Sequence, residues 1–371
     1  MMKLLVLAGE ESGVHYAERI SAAVRTRCPD AEIRGYADYG FRTADLAVFG
    51  IWAVLKRIFF FFRVKRTMVC AIDEWKPDVV CTIDYPGMNL KLASYAKSKG
   101  IWTVHVVCPQ VWAWHQGRIP KIERSMDRLC CFFPFEPAMF RPGFAEFVGH
   151  PLAQEFKNGL EGDGGRREKG LVALLPGSRL GEIEKHLPTL LDAVAPMEGI
   201  RVAIPAANDG ARAAIERIVS SRQASGAAKL KIPATVQSGG ARELLRRAEV
   251  AAVASGTATL EAALAHCPTV LVYRVGAVLA AFLRRAIKGI RHVGLANIIA
   301  EKSGAECPMP ELLQENFTAE AVRGYLERWL GDSAARAEAA AKLEKTLEML
   351  ESDGDAYGRI ADILSQWGNE K

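Results

Sequence analysis

Several features that would place a chain quickly are missing here. The eight cysteines are scattered and form no CxxC pair, so neither a zinc site nor a disulfide scaffold is indicated. A reducing, cytosolic setting is the expectation. No stretch reaches the roughly 18 uncharged apolar residues that a membrane span needs. No secretory signal is evident: MMKLLVLAGEESG breaks at Gly9 after five apolar residues and reads as a first strand and its loop. There is no internal repeat. The net charge is only +5, far from a nucleic-acid footprint, but it suits an anionic ligand or an anionic membrane surface. What is present is ordinary for a soluble protein with sizeable cores: 371 residues, 50% hydrophobic and 25% charged, long enough for two domains.

The chain is organised around LVALLPGSRLGEIEKH, Leu171–His186. The apolar run Leu171–Leu175 is too short for a helix and fits a buried parallel strand. Pro176-Gly177 forces a turn, and a helix begins near Gly181. Such a helix aims its free N–H groups and positive dipole end at the strand's C-terminal edge, where open parallel sheets bind ligands. Ser178 adds a hydroxyl, and Arg179 a fork of donors suited to phosphate oxygens. A second loop repeats the pattern: the strand Val250–Ala254 runs into Ser255-Gly256-Thr257-Ala258-Thr259 and a helix carrying Glu261. Two such loops read as a diphosphate cradle, with Glu261 placed to accept from ribose hydroxyls. The plainer alternative makes Ser255 or Thr257 an N-cap and Glu261 a capping-box acid. No clear DxD pair closes a strand, which argues against a metal-bridged mechanism and leaves no metal or cofactor implied.

Strand–helix units alternate through about residue 150 and again from Leu171, with the polar, glycine-rich Lys157–Lys169 as linker. The expected fold is α/β: two Rossmann-like parallel-sheet domains facing a cleft, the GT-B arrangement. The first spans 1–156. The second spans 157–344, with a C-terminal helix at about 345–371 that could pack back on the first. In the first half, Asp84 ends the strand Pro77–Ile83 beside a turn and is the best-placed general base for a hydroxyl acceptor. An Asx-turn cap is the alternative. Glu10, Glu11 and Ser12 occupy the first glycine loop; Asn89 is a further cleft candidate, Trp112 and Trp114 either stack on a sugar or pack the core, His150 either lines the cleft or is structural, and His105 reads as core. The segment IWAVLKRIFFFFRVKR (Ile51–Arg66) sets Phe59, Phe60, Phe61 and Phe62 among cations that include Arg63. Apolar bulk flanked by cations describes an interfacial segment on anionic lipid, with a snorkelling core helix as the alternative. Val278–Lys288, followed by Arg291, is a second such patch.

Several motifs occur in order across residues 4–315: IDYPGMN (Ile83–Asn89), PQVWAW (Pro109–Trp114), PFE (Pro134–Glu136), FVGHPL (Phe147–Leu152), LLPGSR, ASGTATLEAAL (Ala254–Leu264), Tyr273-Arg274 and PELLQ (Pro310–Gln314). Together they resemble the lipid-A-disaccharide synthase family, glycosyltransferase family 19. The resemblance implies an inverting transferase at the inner face of the cytoplasmic membrane. It would join UDP-2,3-diacylglucosamine to 2,3-diacylglucosamine 1-phosphate through a β-1,6 bond and release UDP. It also implies that Asp84 is the base and that Arg179 is needed for activity. The chain departs from the family pattern at Val14, Gly87, Cys108 and Gln110, all in the acceptor half. Alternatives are another membrane-associated GT-B transferase, a UDP-sugar epimerase, or a lipid-binding protein without turnover. UDP release that depends on a lipid acceptor separates them.

Overall fold

The computed structural model describes residues 1–9, 11–46, 57–113, 116–163, 167–224, 234–276, 291–352 and 354–368. The chain divides into two compact units, Met1–Pro151 with Ser352–Lys371, and Leu152–Glu351.

The first unit is built on β1 (Lys3–Ala8), β2 (Glu32–Gly35), β3 (Val79–Ile83), β4 (Trp102–Val106), β5 (Arg128–Cys131) and β6 (Ala145–Phe147). All pairs are parallel, in the order β2-β1-β3-β4-β5-β6. The apolar runs of β1 and β3 are buried on both faces, as a sheet covered by helices requires. One face carries α1 (Glu11–Arg27) and the C-terminal helix Ala356–Ser365. Ile20 and Val24 meet Tyr357, Ile360 and Leu364 there, and Arg27 pairs with Asp362. The other face carries α2 (Ile58–Trp75) and α3 (Pro86–Ser98), with Val64, Met68, Ile72 and Leu92 packed on Leu5, Leu7 and Val80. Helix α4 (Ile119–Ser125) sits beside α3.

The second unit begins with α5 (Pro151–Asp163), β7 (Glu168–Leu175), α6 (Leu180–Val194), β8 (Arg201–Ala206), α7 (Asp209–Ala224) and β9 (Ala234–Ser238). It continues with α8 (Ala241–Arg247), β10 (Ala248–Ala254), α9 (Thr257–Leu264), β11 (Thr269–Tyr273) and α10 (Leu295–Lys302). β12 (Glu311–Leu313), α11 (Ala319–Gly331) and α12 (Ser333–Leu350) complete it. Its parallel sheet runs β12-β11-β10-β7-β8-β9.

In each sheet the chain starts in the middle, walks to one edge, then returns to the other side of its first strand. The order reverses between β1 and β3 in the first unit and between β7 and β10 in the second. The helices that follow the two strands at such a point lie on opposite faces, so their loops part and leave a crevice at the strands' C-terminal ends.

The expected linker is corrected. Residues 157–163 continue helix α5, and β7 starts at Glu168. The turn expected at Tyr85-Pro86-Gly87 is the first turn of α3, because proline is tolerated at a helix's first positions. Glu10, Trp114, the front of the apolar segment (51–56) and the patch at 278–288 lie outside the described residues.

Candidate active site

In the second unit a cavity of about 360 Å³ opens at the reversal point. Its walls are the C-terminal ends of β7, β8, β9 and β10 and the loops that leave them. Gly177, Ser178, Arg179 and Glu182 come from the first, Ala206 and Ala207 from the second, Gly239 and Ala241 from the third, and Ser255, Gly256, Thr257 and Glu261 from the fourth. Leu171–Leu175 are buried, each large side chain contributing roughly 1.5–3 kcal/mol, so the loop after them is anchored. Gly177 adopts φ +114°, and a Cβ there would stand 2.6 Å from the Glu182 carboxylate; no other residue fits without moving that acid. Glu182 accepts from the Arg179 guanidinium at 3.1 Å and from its backbone N–H at 3.4 Å. It therefore caps α6 and holds Arg179 at the rim, with the Arg179 side chain 70% exposed.

The second loop is held less directly. The Ser255 hydroxyl donates to the Val293 carbonyl at 2.9 Å. Burial raises the Glu261 carboxyl above the ordinary range, while Arg242 opposes the shift. Arg242 itself pairs with Glu155 at 2.8 Å. Thr259, expected among the ligand hydroxyls, is fully buried and donates to the Gly256 carbonyl at 2.8 Å. It fixes the turn instead of lining the cavity.

His186 was not singled out in the sequence. It is fully buried on α6, behind the cavity. Its Nδ1 lies 2.9 Å from the Pro176 carbonyl, and its Nε2 accepts the Arg274 N–H at 3.1 Å. Nε2 also lies 3.1 Å from the Arg274 carbonyl; a proton on Nδ1 serves the Pro176 carbonyl and leaves Nε2 to accept the Arg274 N–H. The ring thus ties the PGSR loop after β7 to the end of β11. The Arg274 guanidinium in turn donates to the carbonyls of Gln314 and Phe317. A sequence offers no signal for such a role beyond a histidine on the apolar face of a helix.

In the first unit, Asp84 and Tyr85 follow β3 with φ of +46° and +51°. Two successive left-handed residues that are not glycine are strained. The strain is held from behind. The Asp84 N–H donates to the Val106 carbonyl at 2.9 Å. The Asn89 amide lies 2.9–3.1 Å from the carbonyls of Asp84, Ile83 and Leu7 and accepts from the Tyr36 hydroxyl at 3.0 Å. Gly9, after β1, lies against Tyr85: a Cβ there would come within 2.5 Å of the ring. Burial raises the Asp84 carboxyl above the ordinary aspartate range. The arrangement gives a half-buried carboxyl at the reversal point, with a basicity above that of a free carboxylate.

Most of the other first-unit candidates are buried, His105 as read from its mid-strand position. Asn89 is fully buried, a brace for the Asp84 turn instead of a ligand contact. Trp112 is 5% exposed, and its indole N–H donates to Glu136 at 3.1 Å, so its ring belongs to the core. His150 is buried against Phe132 and Phe133, with ring centroids 5.3 and 5.7 Å away. His105 is fully buried beside the Thr82 hydroxyl, and burial pushes its imidazole down to about 4. Ser12 lies in the first turn of α1.

Helix α2 divides the four phenylalanines. Phe60 and Phe61 pack inward, Phe60 edge-on to Phe41 at 6.0 Å, and so leave the expected exposed set. Phe59 and Phe62 are 85% and 63% exposed. Ile58 lies beside them, and Arg63, Lys65 and Arg66 are exposed on the same helix. No helix among the described residues is long and apolar enough to cross a membrane.

Comparison with known proteins bears on both the family and the fold. The lipid-A-disaccharide synthetase family matches residues 4–356. The lipid-A-disaccharide synthase of Chromohalobacter salexigens is 35% identical over 358 residues, covering 90% of this chain and 89% of that protein. Among solved structures, a UDP-N-acetylglucosamine 2-epimerase from Listeria monocytogenes (described as putative) superposes with TM-score 0.62 at 13% identity, covering 100% of this chain and 97% of that one. The calicheamicin glycosyltransferase CalG4 superposes with TM-score 0.55 at 13% identity, covering 100% and 98%. The fold is the α/β GT-B type, shared by transferases and epimerases.

Proposed function

The chain belongs to the lipid-A-disaccharide synthetase family, a glycosyltransferase family of lipid A biosynthesis, and on that premise we propose how its residues carry the transfer. The donor, UDP-2,3-diacylglucosamine, places its diphosphate in the cavity of the second unit. The N–H groups at the start of α6 and α9 face it, with Ser178, Ser255 and Thr257 as hydroxyl partners. The exposed pair between Arg179 and Glu182 is worth at most about 1 kcal/mol, so a diphosphate can draw the guanidinium away. Glu261 accepts from the ribose.

The acceptor, 2,3-diacylglucosamine 1-phosphate, presents its 6-hydroxyl to the first unit's carboxylate. Asp84 takes the hydroxyl proton as the oxygen attacks the anomeric carbon. The bond from that carbon to the β-phosphate oxygen breaks, and configuration inverts to β-1,6. UDP leaves with one more negative charge, which Arg179 and the two helix N-termini stabilise. Both substrates are acylated. The exposed Phe59 and Phe62 and the cations after them suit the anionic inner face of the cytoplasmic membrane, with the protein bound peripherally.

The observation that carries the reading is the coincidence of the PGSR and SGT loops around one cavity at the sheet's reversal point. The test is UDP release from UDP-2,3-diacylglucosamine with and without the acceptor. Release only with acceptor, together with a disaccharide 1-phosphate, is expected. Turnover of the donor alone would point to an epimerase. UDP binding with no turnover would leave a lipid-binding protein.

A further inference from the structure

Three potential metal ligands meet in the core of the first unit. Cys108 follows β4, Cys131 closes β5, and Glu136 stands in the turn beyond it. They are 4%, 0% and 2% exposed. Their donor atoms all lie within 4.8 Å of one another. Sequence spacing hides the cluster. It forms because Val106 pairs with Cys130 in parallel register, which sets the residues just past β4 beside the end of β5.

We propose that Cys108, Cys131 and Glu136 form a binding site for one soft divalent cation of the zinc or cadmium class. Two sulfurs and a carboxylate oxygen are a donor set such ions favour. With Zn–S bonds of about 2.3 Å, two thiolates on one tetrahedral ion stand about 3.8 Å apart. The donors are therefore within about 1 Å of a coordinating arrangement. The carboxylate is well oriented: Glu136 accepts from the Trp112 indole at 3.1 Å and from the Phe133 N–H at 3.1 Å. The Cys108 thiol and the Phe132 N–H also donate to it; all four donors are neutral, and no cationic side chain among the described residues forms an ion pair with Glu136. A buried carboxyl without a cation is costly to ionise, and a dication would remove that cost. Binding replaces the two thiol protons and the carboxyl proton by one dication, and the three protons pass to solvent. The two thiolates balance its charge, and a Glu136 oxygen is the third donor. Through Cys108 and the Glu136–Trp112 bond, the ion would fasten the PQVWAW segment to β5.

The experiment titrates the reduced full-length protein with cadmium chloride, following the ultraviolet cadmium–thiolate charge-transfer band. Retained metal is counted after gel filtration, and zinc is added as competitor. One ion per chain is expected. Cys108→Ser and Cys131→Ser should each abolish the saturating band. Glu136→Gln should weaken binding by about tenfold or more. Cys307→Ser, which removes a thiol beside His292 in the other unit, should leave the titration unchanged. A melting curve near that of the parent confirms that each near-isosteric variant is folded. The wild-type stoichiometry stands apart from the variants: no retained ion overturns the proposal outright. A band that survives Cys108→Ser and Cys131→Ser overturns it as well, by moving the ion elsewhere.

Discussion

The two sheets reverse strand order in the same way and put different chemistry at the reversal point. Between β7 and β10 the second unit places backbone N–H groups, hydroxyls and an arginine, with two helices starting at the rim. Between β1 and β3 the first unit places a carboxyl on a strained turn, braced by a buried asparagine. One site aims helix N-termini and an arginine into a cavity that Glu182 and Glu261 also line, and needs little burial to hold an anion. The other spends backbone strain and desolvation to make one carboxyl more basic. On the proposed reading, the same topology supplies a place for the leaving group in one unit and a place for the base in the other. What differs is the residue that each loop delivers.

The sharpest way to break this contrast is to remove the base. Asp84→Asn is expected to lower kcat by about 10²–10⁴-fold, with the UDP dissociation constant, measured calorimetrically, almost unchanged. Retained turnover would end the assignment. A pH effect follows from the direction of the shift. Asp84 works deprotonated, so kcat/KM should fall as pH drops through a pKa above the ordinary aspartate range. The stability effect has the opposite sense. With the folded pKa raised, the native state binds more protons than the unfolded chain across that window, so ionising Asp84 costs stability as pH rises through it. Asp84→Asn should then melt higher than the parent at neutral pH and match it in acid. A lower melting point at neutral pH would mean that the charged carboxylate is favoured where it sits.

Arg179→Ala attacks the other half of the contrast. Loss of one donor to a developing charge costs about 10²–10³-fold in kcat. Here UDP binding should weaken too, because the same guanidinium meets the ground-state diphosphate. Arg179→Lys should recover only part, since it keeps the charge and loses the fork. Unchanged UDP affinity in Arg179→Ala would separate the arginine from the cavity.

Much of this was legible in the sequence, and the gaps have physical causes. The β1, β11 and α12 boundaries can be read directly, because an unbroken apolar run or a sustained helical pattern leaves little choice. The edge strands β2, β6 and β12 cannot. They are three or four residues long and only partly buried, so they carry no apolar run, and a neighbour's backbone defines them. The glycine-rich stretch read as a linker is helical through Asp163, since propensity is a weak prior against tertiary context. Gly177, Ser178, Arg179, Ser255, Gly256, Thr257 and Glu261 line one cavity because each strand–loop–helix motif is local. Asn89, Trp112 and Thr259 fell differently because their roles depend on partners distant in sequence or on a turn's own carbonyl. Glu136 and His186 went unremarked as bridging residues for the same reason.

His186 offers a finer test of how the donor site is held. It touches no ligand position and acts through the loops it joins. His186→Phe leaves the Pro176 carbonyl and the Arg274 N–H unpaired in the core, at about 1–3 kcal/mol each. It should weaken UDP binding about tenfold and raise the donor KM more than it lowers kcat. His186→Gln, which restores one amide donor and one acceptor, should recover part of the affinity. Equal loss of stability in both variants with UDP affinity intact would reduce the histidine to a core residue.

The smallest effect concerns the surface of α2, and there the contrast lies within one helix. Phe60 and Phe61 are packed and Phe59 and Phe62 are exposed, so adjacent rings should answer to different measurements. Phe60→Ser removes a partly buried ring that touches Phe41 and Phe61. It should cost about 1–3 kcal/mol of stability without a direct effect on lipid binding. Phe59→Ser with Phe62→Ser removes rings that face water, so the melting point should barely move. What should change is co-sedimentation with vesicles containing anionic lipid, by a few fold, because the cations after Phe62 still attract the surface. Raising the salt concentration should then detach the double variant before the parent. The parent keeps its apolar anchor when charge is screened, and the variant has only charge to lose. If the double variant binds vesicles like the parent at every ionic strength, the exposed rings serve something other than the membrane. The acylated substrates would then need another apolar surface.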